Sequence, residues 1–274
     1  MQTIGVLFHP KIPRTLDVAQ EIRTGLAAHG VNAWIASAWA EDEVKRLLPS
    51  TEILVTLGGD GTILRAARMS LEHAVPIAGV NFGRLGFLAE YQPDQILQCL
   101  TDLVEGNFWL EDRRMLRAEL VRGTEVFGQY DALNDVVIGR GTVARVVRMR
   151  VVIDNTQPIQ HVADGIIVAT PTGSTAYTVS AGGPIADPRV RAMIVTPIAP
   201  HLSLLGSIIV PDSAVIEIFV ESDYPALVSM DGQVELSIES RDCVRVFTSE
   251  RVCRFVRTHP TGYFYSSLSQ RLKL

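Results

Sequence analysis

The chain has 274 residues, 47% of them hydrophobic and 20% charged, so it is long enough for two globular domains with apolar cores. Its formal net charge of −5 argues against nucleic acid as the main partner, because phosphate backbones recruit basic surfaces. The three cysteines lack metal-ligand spacing and no apolar run approaches the roughly 18 residues of a membrane span, which predicts a cytoplasmic protein with no membrane contact.

The first hundred residues alternate between strand and helix patterns. Strands are predicted at residues 4–8, 31–37, 53–57 and 75–80, and helices at 16–29, 41–48, about 63–69 and 94–104. This alternation predicts a Rossmann-like parallel sheet covered by helices, and ligands bind such sheets at the carboxyl ends of the strands. We therefore expect an α/β domain over residues 1–105.

The most informative stretch of this domain is Gly58-Gly59-Asp60-Gly61-Thr62, which directly follows the apolar run at 53–57. Glycines bring bare backbone N–H groups against phosphate oxygens, whereas Asp60 adds a carboxylate where anions would bind. We interpret Asp60 as a base or a metal ligand. Arg65, one helical turn beyond the loop, is placed to point at bound phosphate. On turn chemistry alone, a plain tight turn remains the alternative.

From about residue 109 the chain consists of short β-rich runs. They are predicted at residues 116–121, 126–130, 135–138, 144–153, 165–169, 208–210, 214–220, 226–229, 243–248 and 252–257. Turn residues separate them, and only residues 176–181 suggest a helical turn. The pattern is typical of an all-β sandwich-like domain, expected over residues 106–258. We expect residues 259–274 to form a C-terminal helix that returns to the first domain, and the site to lie between the domains.

A second candidate site segment runs from Asp164 to Tyr177. Its apolar strand opens into a loop with four hydroxyl residues, Thr170, Thr172, Ser174 and Thr175. Hydroxyls and N–H groups at a helix N-terminus form a polar, mildly positive pocket, although ordinary helix capping is the alternative for Thr172 or Ser174. Tyr177 is placed to stack on a base, and on spacing alone a core position is equally compatible.

A third segment, Asn134-Asp135, precedes another apolar strand. The pair is common in turns, and its functional interpretation is an amide and a carboxylate that hold a polar ligand such as ribose hydroxyls. Arg145 and Arg148, on a later strand, have the geometry to bind phosphate, with a solvated strand face as the favoured alternative for Arg148. Residues 230–233, Met-Asp-Gly-Gln, are most simply a hairpin turn.

Several common catalytic patterns are missing from the sequence. The six histidines form no plausible metal site, and there is no Gly-Lys-Ser/Thr, Gly-x-Gly-x-x-Gly or Gly-x-Ser-x-Gly motif. Nucleophilic hydrolase and standard dehydrogenase functions therefore lack the residues to carry them.

Taken together, the glycine loop, Asn134-Asp135 and the segment from Asp164 to Tyr177 resemble the NAD kinase family. The resemblance continues through Ser180-Ala181-Gly182-Gly183-Pro184-Ile185 and Pro197-Ile198-Ala199-Pro200-His201, and it covers nearly the whole chain in order. The glycine loop alone also occurs in diacylglycerol kinase-like and phosphofructokinase-like proteins. The Thr-Pro-Thr-Gly-Ser-Thr-Ala-Tyr stretch is the specific signal.

The resemblance implies phosphorylation of the 2′-hydroxyl of the adenosine ribose of NAD, by ATP or polyphosphate, to give NADP. It makes Asp60 the general base. It further implies a divalent metal, with Mg²⁺ expected, held mainly by donor phosphates, and assembly as a homodimer or homotetramer. The residues that it assigns to the bound nucleotides are Gly58, Gly59, Gly61, Thr62, Arg65, Asn134, Asp135, Arg145, Asp164, Thr172, Thr175, Ala176, Tyr177, Thr178, Val179, Ser180 and Gln233.

The chain departs from the family pattern at three places. Asp135 stands where the family usually has Glu, and Val162 stands where a basic residue is common. Leu204 and Leu205 occupy a segment that often contains Arg-Pro. None of these changes removes Asp60.

Two other functions compete with this one. A diacylglycerol-type lipid kinase shares the glycine loop, but it is not expected to contain residues 172–177. A catalytically dead regulator that binds nicotinamide nucleotides is disfavoured, because Asp60 and its glycines are retained.

Overall fold

The computed structural model describes residues 3–83, 86–141, 146–201, 206–221 and 226–272. Contacts divide the chain into two compact units, one formed by Met1–Asp112 with Val252–Leu274 and the other by Arg113–Arg251. The predicted domains, 1–105 and 106–258, stay a prediction. Among the described residues, no helix is long and apolar enough to cross a membrane.

The first unit opens with alternating strands and helices. In chain order they are β1 (Thr3–Phe8), α1 (Pro13–Ala28), β2 (Asn32–Ser37), α2 (Glu41–Leu47), a 3₁₀ turn (Leu48–Ser50), β3 (Ile53–Gly58), α3 (Asp60–Ser70), β4 (Ile77–Asn81), α4 (Pro93–Ile96) and α5 (Leu100–Glu105).

The rest of the chain is mainly β structure. It comprises β5 (Trp109–Arg122), β6 (Glu125–Ala132), β7 (Asp135–Arg140), β8 (Val147–Ile153), β9 (Ile159–Ala163), β10 (Gly165–Ala169), a 3₁₀ turn (Gly173–Thr175), α6 (Tyr177–Ser180), β11 (Ala192–Ile198), β12 (Ile208–Pro211), β13 (Ile216–Val220), β14 (Ala226–Met230), β15 (Val234–Ile238), β16 (Cys243–Arg257) and α7 (Tyr263–Leu272).

The sheet of the first unit is parallel. β1 pairs with β2 on one side and β3 on the other, and β3 pairs with β4, which in turn pairs with the end of β16. All six residues of β3 are buried, as expected for a strand covered on both faces. The α/β prediction is confirmed, and α7 belongs to this unit, as predicted for the C-terminal helix.

The second unit is an antiparallel sandwich. One sheet has the order β12-β11-β10-β7-β14-β15, and β13 pairs with β8 and with the start of β16 in the other. Buried side chains from both sheets, such as Ile138 and Val168 against Met149 and Ile218, form one core cluster. The predicted sandwich-like domain is confirmed.

Three strands were not predicted, namely β9, β11 and β15. β11 contains Pro197, which lowers strand propensity, and β9 carries the polar Gln160 and His161. β15 alternates exposed and covered residues as the last strand of its sheet. The sequence of each of these strands is therefore a weak strand pattern by itself, and the strand depends on pairing with its neighbours in the sheet.

Several predicted boundaries were wrong. The helix after the glycine loop begins at Asp60 rather than near residue 63, the helix predicted at 94–104 is divided into α4 and α5, and the runs 243–248 and 252–257 are one strand. The strand predicted from residue 144 begins at Val147, with residues 144–145 outside the described part.

Candidate active site

The glycine loop joins a buried strand to a helix. β3 ends at Gly58, Gly59 has extended backbone angles, and α3 begins at Asp60. A Cβ on Gly58 would collide with the Thr62 side chain, so the junction needs glycine there. The backbone N–H of Thr62 donates to the Gly59 carbonyl over 2.9 Å. The loop is the N-terminus of an 11-residue helix, where N–H groups and the helix dipole favour anions.

The Asp60 carboxylate is held by backbone N–H groups of a distant segment. Phe87 donates to Oδ2 over 2.9 Å and Leu88 donates to Oδ1 over 3.3 Å. A Cβ on Gly86 would collide with this carboxylate. Because a carboxylate offers about four lone-pair directions, two remain after these bonds. Asp60 is thus oriented, half-buried and able to accept a further hydrogen bond.

Arg65 lies on α3, one turn after Thr62. Its guanidinium is over the ring of Trp39, 4.9 Å from the ring centroid. The predicted contact of Arg65 with phosphate stays a prediction.

Arg271 was missed by the sequence analysis. It comes from α7, and its guanidinium lies 5.4 Å from the ring centroid of Phe87, whose N–H holds Asp60. Burial lowers the pKa of Arg271. The residue also lines a polar cavity of about 340 Å³ in the first unit, with Asn81, Gly83, Ala89, Glu90, Gln92, Gln95, Tyr263 and Gln270. Nothing in the local sequence of α7 indicates that Arg271 lies beside Phe87 and this cavity.

In the second unit, the Asp231 carboxylate collects three consecutive backbone N–H groups. Leu133 donates to Oδ2 over 2.8 Å, and Asn134 and Asp135 donate to Oδ1 over 2.7 and 3.1 Å. Asp231 and Gly232 have φ of 54° and 63°, and they are the central residues of the turn that the sequence predicts at 230–233, which the Gln233 N–H closes by donating to the Met230 carbonyl over 3.0 Å. The sequence predicts the turn, but it does not predict that the Asp231 carboxylate binds these backbone N–H groups, because Asp-Gly is the ordinary composition of such turns.

Asp135 is buried beside Asp231. Burial raises the pKa of Asp135 to about 7, and the neighbouring Asp231 carboxylate adds to the shift. Near neutral pH this side chain can therefore donate a hydrogen bond to a ligand hydroxyl when it is protonated, or accept one from the hydroxyl when it is ionised.

Asn134 and Asp135 line a cavity of about 340 Å³ within the second unit. Its other walls are Val137, Ala176, Tyr177, Ser229, Asp231 and Gly232. Four of the predicted nucleotide-binding residues therefore meet here, namely Asn134, Asp135, Ala176 and Tyr177. The other four residues were missed.

The hydroxyl residues of the loop make internal hydrogen bonds. Thr170 Oγ1 donates to the Leu133 carbonyl over 2.6 Å and accepts from the Gly173 N–H over 3.0 Å. Arg113 donates to Thr172 Oγ1 over 3.2 Å, and Ser174 Oγ accepts from the Ala186 N–H over 2.9 Å. Thr170 thus holds the start of the loop against Leu133, just before β7, while Ser174 ties the loop to Ala186.

The other predicted nucleotide-binding residues of this unit that the structure describes are not among the residues that line the cavity. Asp164 forms an ion pair with Arg140 at 3.3 Å, and the fully buried Thr178 hydroxyl has no hydrogen-bond partner among the described residues. Arg148 is exposed on β8, whereas Arg145 lies outside the described residues. The others that are not part of the lining are Thr172, Thr175, Val179, Ser180 and Gln233. Their roles stay predictions.

The described part of the chain contains no group of three or more His, Cys, Asp or Glu side chains suited to hold a metal ion. His161 is buried, neither of its ring nitrogens has a hydrogen-bond partner in the part of the chain that the structure describes, and burial lowers its pKa.

Comparison with known families covers both units. The model of the ATP-NAD kinase N-terminal domain matches residues 15–108, and that of the ATP-NAD kinase C-terminal domain matches residues 133–258.

Curated relatives match over nearly their full lengths. A protein named NAD kinase from Chloroflexus aggregans is 36% identical over 273 residues, covering 100% of this chain and 99% of the relative. An NAD kinase from Dehalococcoides mccartyi is 37% identical over 272 residues, covering 98% and 95%.

Two solved structures share the fold. Yeast NADH kinase complexed with NADH superposes with a TM-score of 0.89 at 26% identity, covering 100% of this chain and 88% of that chain. An NAD kinase from Archaeoglobus fulgidus in complex with ATP gives a TM-score of 0.80 at 26% identity, with complete coverage of both chains.

Proposed function

The chain belongs to the NAD kinase family and is an enzyme with NAD kinase function, and we propose that Asp60 is the general base of its reaction. The single observation that supports this role is the position of Asp60 at the start of α3, where its carboxylate is oriented by the N–H groups of Phe87 and Leu88. A base must be held within hydrogen-bond reach of the proton that it takes, and this arrangement preorganises it.

The proposed step transfers one proton and one phosphoryl group. Asp60 takes the proton of the 2′-hydroxyl on the adenosine ribose, while the hydroxyl oxygen bonds to the γ-phosphorus of ATP. The bond from that phosphorus to the β–γ bridging oxygen breaks, so that ADP leaves and NADP is formed. In phosphoryl transfer the protein mainly positions the reacting groups and stabilises charge, so the orientation of the Asp60 carboxylate matters more than its strength as a base.

ATP is the donor that the comparisons favour, since the Archaeoglobus relative was solved with ATP. We propose that its phosphates bind at the start of α3 beside Gly59 and Gly61, where the absence of side chains lets them approach the backbone and the positive end of the helix dipole. Backbone donors at a helix N-terminus suit phosphate oxygens. Inorganic polyphosphate would present the same oxygens, so a donor comparison is needed.

A divalent metal, expected to be Mg²⁺, would neutralise charge on the donor phosphates. Because the described residues offer no cluster of three metal ligands, we propose that the ion arrives bound to ATP.

We propose that the cavity of the second unit holds part of the nicotinamide nucleotide. Asn134 and Asp135 offer polar groups to ribose hydroxyls, and Tyr177 offers a ring with 45% of its surface exposed. NADH is a second candidate acceptor, because the yeast relative is an NADH kinase solved with NADH.

We also propose that the chain forms homodimers or homotetramers and works in the cytoplasm. We place the contact between subunits at β12, which ends the described strand order of its sheet and leaves 60% of the surface of Ile209 exposed. The cysteines carry thiols rather than disulfides, in keeping with a reducing compartment. Light scattering of the purified protein tests the oligomeric state.

Asp60→Asn tests the proposed base. We expect NADP formation from NAD, ATP and Mg²⁺ to fall about 100- to 10,000-fold, which is the usual contribution of a general base. NAD binding, measured by calorimetry, should stay within about two-fold, because the amide keeps the shape of the side chain. Asp17→Asn, at an exposed position on α1, is the matched control. Near-normal turnover of Asp60→Asn would refute the proton-acceptor role.

A further inference from the structure

The parallel sheet of the first unit reverses its strand order at β1. The chain passes from β1 to β2 on one side, and β3 then pairs with the opposite side of β1. In open parallel sheets, ligands bind outside the carboxyl ends of the strands at such a reversal. Phe8 is in register with both Ser37 and Leu57, so the three strands end together. The segments that follow them, at His9, Trp39 and Gly59, therefore meet at one edge.

Trp39 stands out at this edge because 42% of its surface is exposed. Its position is nevertheless fixed. The backbone N–H of Trp39 donates to Ser37 Oγ over 3.2 Å, and the His9 ring lies 4.6 Å from the indole between centroids with an interplanar angle of 69°. The guanidinium of Arg65 lies 4.9 Å from the indole centroid. A large apolar ring is thus held in place while much of it faces solvent.

Arg65 connects this ring to the glycine loop. It follows Asp60 by five residues in α3, a rise of about 7.5 Å along the helix. Trp39 therefore lies beside the helix whose first turn faces the donor phosphates in the proposed function. A ligand with phosphates at that turn and an aromatic group further along would reach the indole.

We propose that Trp39 stacks on the aromatic base of a nucleoside triphosphate and thereby makes the enzyme favour ATP over inorganic polyphosphate as phosphoryl donor. The inference rests on the proposed placement of the donor phosphates at the start of α3. Polyphosphate gains nothing from the ring, because it has no aromatic group. A nucleotide gains a stacking contact, whose strength on an aromatic side chain corresponds to about ten-fold in affinity.

The test compares Trp39→Ala, Trp39→Phe and the unchanged enzyme with two donors, ATP–Mg²⁺ and polyphosphate–Mg²⁺. For Trp39→Ala we expect the KM for ATP and its dissociation constant by calorimetry to rise about ten-fold. The dissociation constant for polyphosphate should stay within about two-fold. Trp39→Phe keeps an aromatic ring, so its affinity for ATP should fall less than that of Trp39→Ala. Phe127→Ala, which truncates an exposed aromatic residue of the second unit, is the control.

Two results would overturn the inference. One is unchanged ATP binding in Trp39→Ala, and the other is an equal loss for both donors, which would mean that Trp39 only supports the local fold. These outcomes differ from failure of the proposed function. If the unchanged enzyme made no NADP from NAD and ATP, the proposed function would fail whatever the Trp39 variants did.

Discussion

At the scale of single residues, three aspartates have different roles because their surroundings differ. Asp60 accepts two backbone N–H bonds and remains half-buried, which suits a base. Asp231 accepts three such bonds and fixes the start of β7. Asp135 accepts no such set of bonds in the described structure and is buried against Asp231, so its pKa is raised to about 7. Residue type alone would not distinguish them.

Asp135→Asn should make the protein more stable at alkaline pH. The pKa of Asp135 in the folded protein is about 7, above its ordinary value of 3.8. Its contribution to the free energy of unfolding is therefore most favourable below about pH 4, where the side chain is protonated in both states, and it is lost as the pH rises through 7. The uncharged amide avoids this loss. We expect the free energy of unfolding of the variant to exceed that of the unchanged protein by about 1–3 kcal/mol at pH 8, and by less at pH 5.

Urea unfolding at the two pH values measures this difference. Asp154→Asn, at a residue whose carboxylate accepts a hydrogen bond on the exposed surface, is the control, and its effect should not follow this pH dependence. A stability difference for Asp135→Asn that is the same at pH 5 and pH 8 would contradict the prediction.

At the scale of elements, the β3–α3 junction and the segment that begins at Gly86 act together. The junction places Asp60 at the first turn of a helix, and the segment supplies the N–H groups that orient it. The orientation requires glycine at position 86, because a Cβ there would occupy the space of the carboxylate.

Gly86→Ala should therefore impair chemistry more than binding. The added methyl group displaces the Asp60 carboxylate, so we expect kcat for NADP formation to fall at least ten-fold, while the dissociation constant for NAD stays within about three-fold. Gly83→Ala is a matched control, because a Cβ at Gly83 would meet no atom of the described residues within 4 Å. Equal kcat values for the two variants would show that the space beside Asp60 is not needed.

At the scale of the whole molecule, the chain leaves the first unit at Asp112 and returns to it at Val252. A buried ion pair holds the returning segment within this unit. Arg257 Nη1 lies 3.2 Å from Glu90 Oε2, and the N–H groups of Thr258 and His259 each donate to Glu90 Oε1 over 2.8 Å. Burial alone would raise the pKa of Glu90, but Arg257 and these N–H groups outweigh it and lower the pKa.

Glu90→Gln should destabilise the protein by about 2–4 kcal/mol at pH 7, because it leaves the buried Arg257 with less compensating charge. The lowered pKa of Glu90 means that its stabilising effect is present above its ordinary pKa, near 4.5, and is lost as the pH falls below that value. Thermal unfolding should therefore separate the variant from the unchanged protein more at pH 7 than at pH 3.5, because the stabilisation is lost as the pH falls through the lowered, folded pKa.

Asp112→Asn is the control for this measurement, since it breaks an exposed ion pair with Arg254 in the same unit. Its cost should stay below about 1 kcal/mol, as is usual for surface pairs. A similar cost for both variants would argue that Glu90 acts as an ordinary surface charge.

The sequence by itself determined the two fold types, the glycine loop and the family. These features depend on local properties: the strand–helix alternation, the backbone freedom of glycine and the order of short motifs. The sequence also predicts four nucleotide-binding residues that the structure brings to one cavity, namely Asn134, Asp135, Ala176 and Tyr177.

Only the tertiary structure decided which distant groups meet. Asp231 binds the backbone at Leu133, 98 residues away, and Asp60 binds the backbone at Phe87, 27 residues away. Trp39 gains its place beside the glycine loop in the same way, from the parallel pairing of β1 with β2 and β3. Strand pairing and burial set these contacts, and they depend on the whole chain folding rather than on any local pattern, which is why β9, β11 and β15 also escaped prediction.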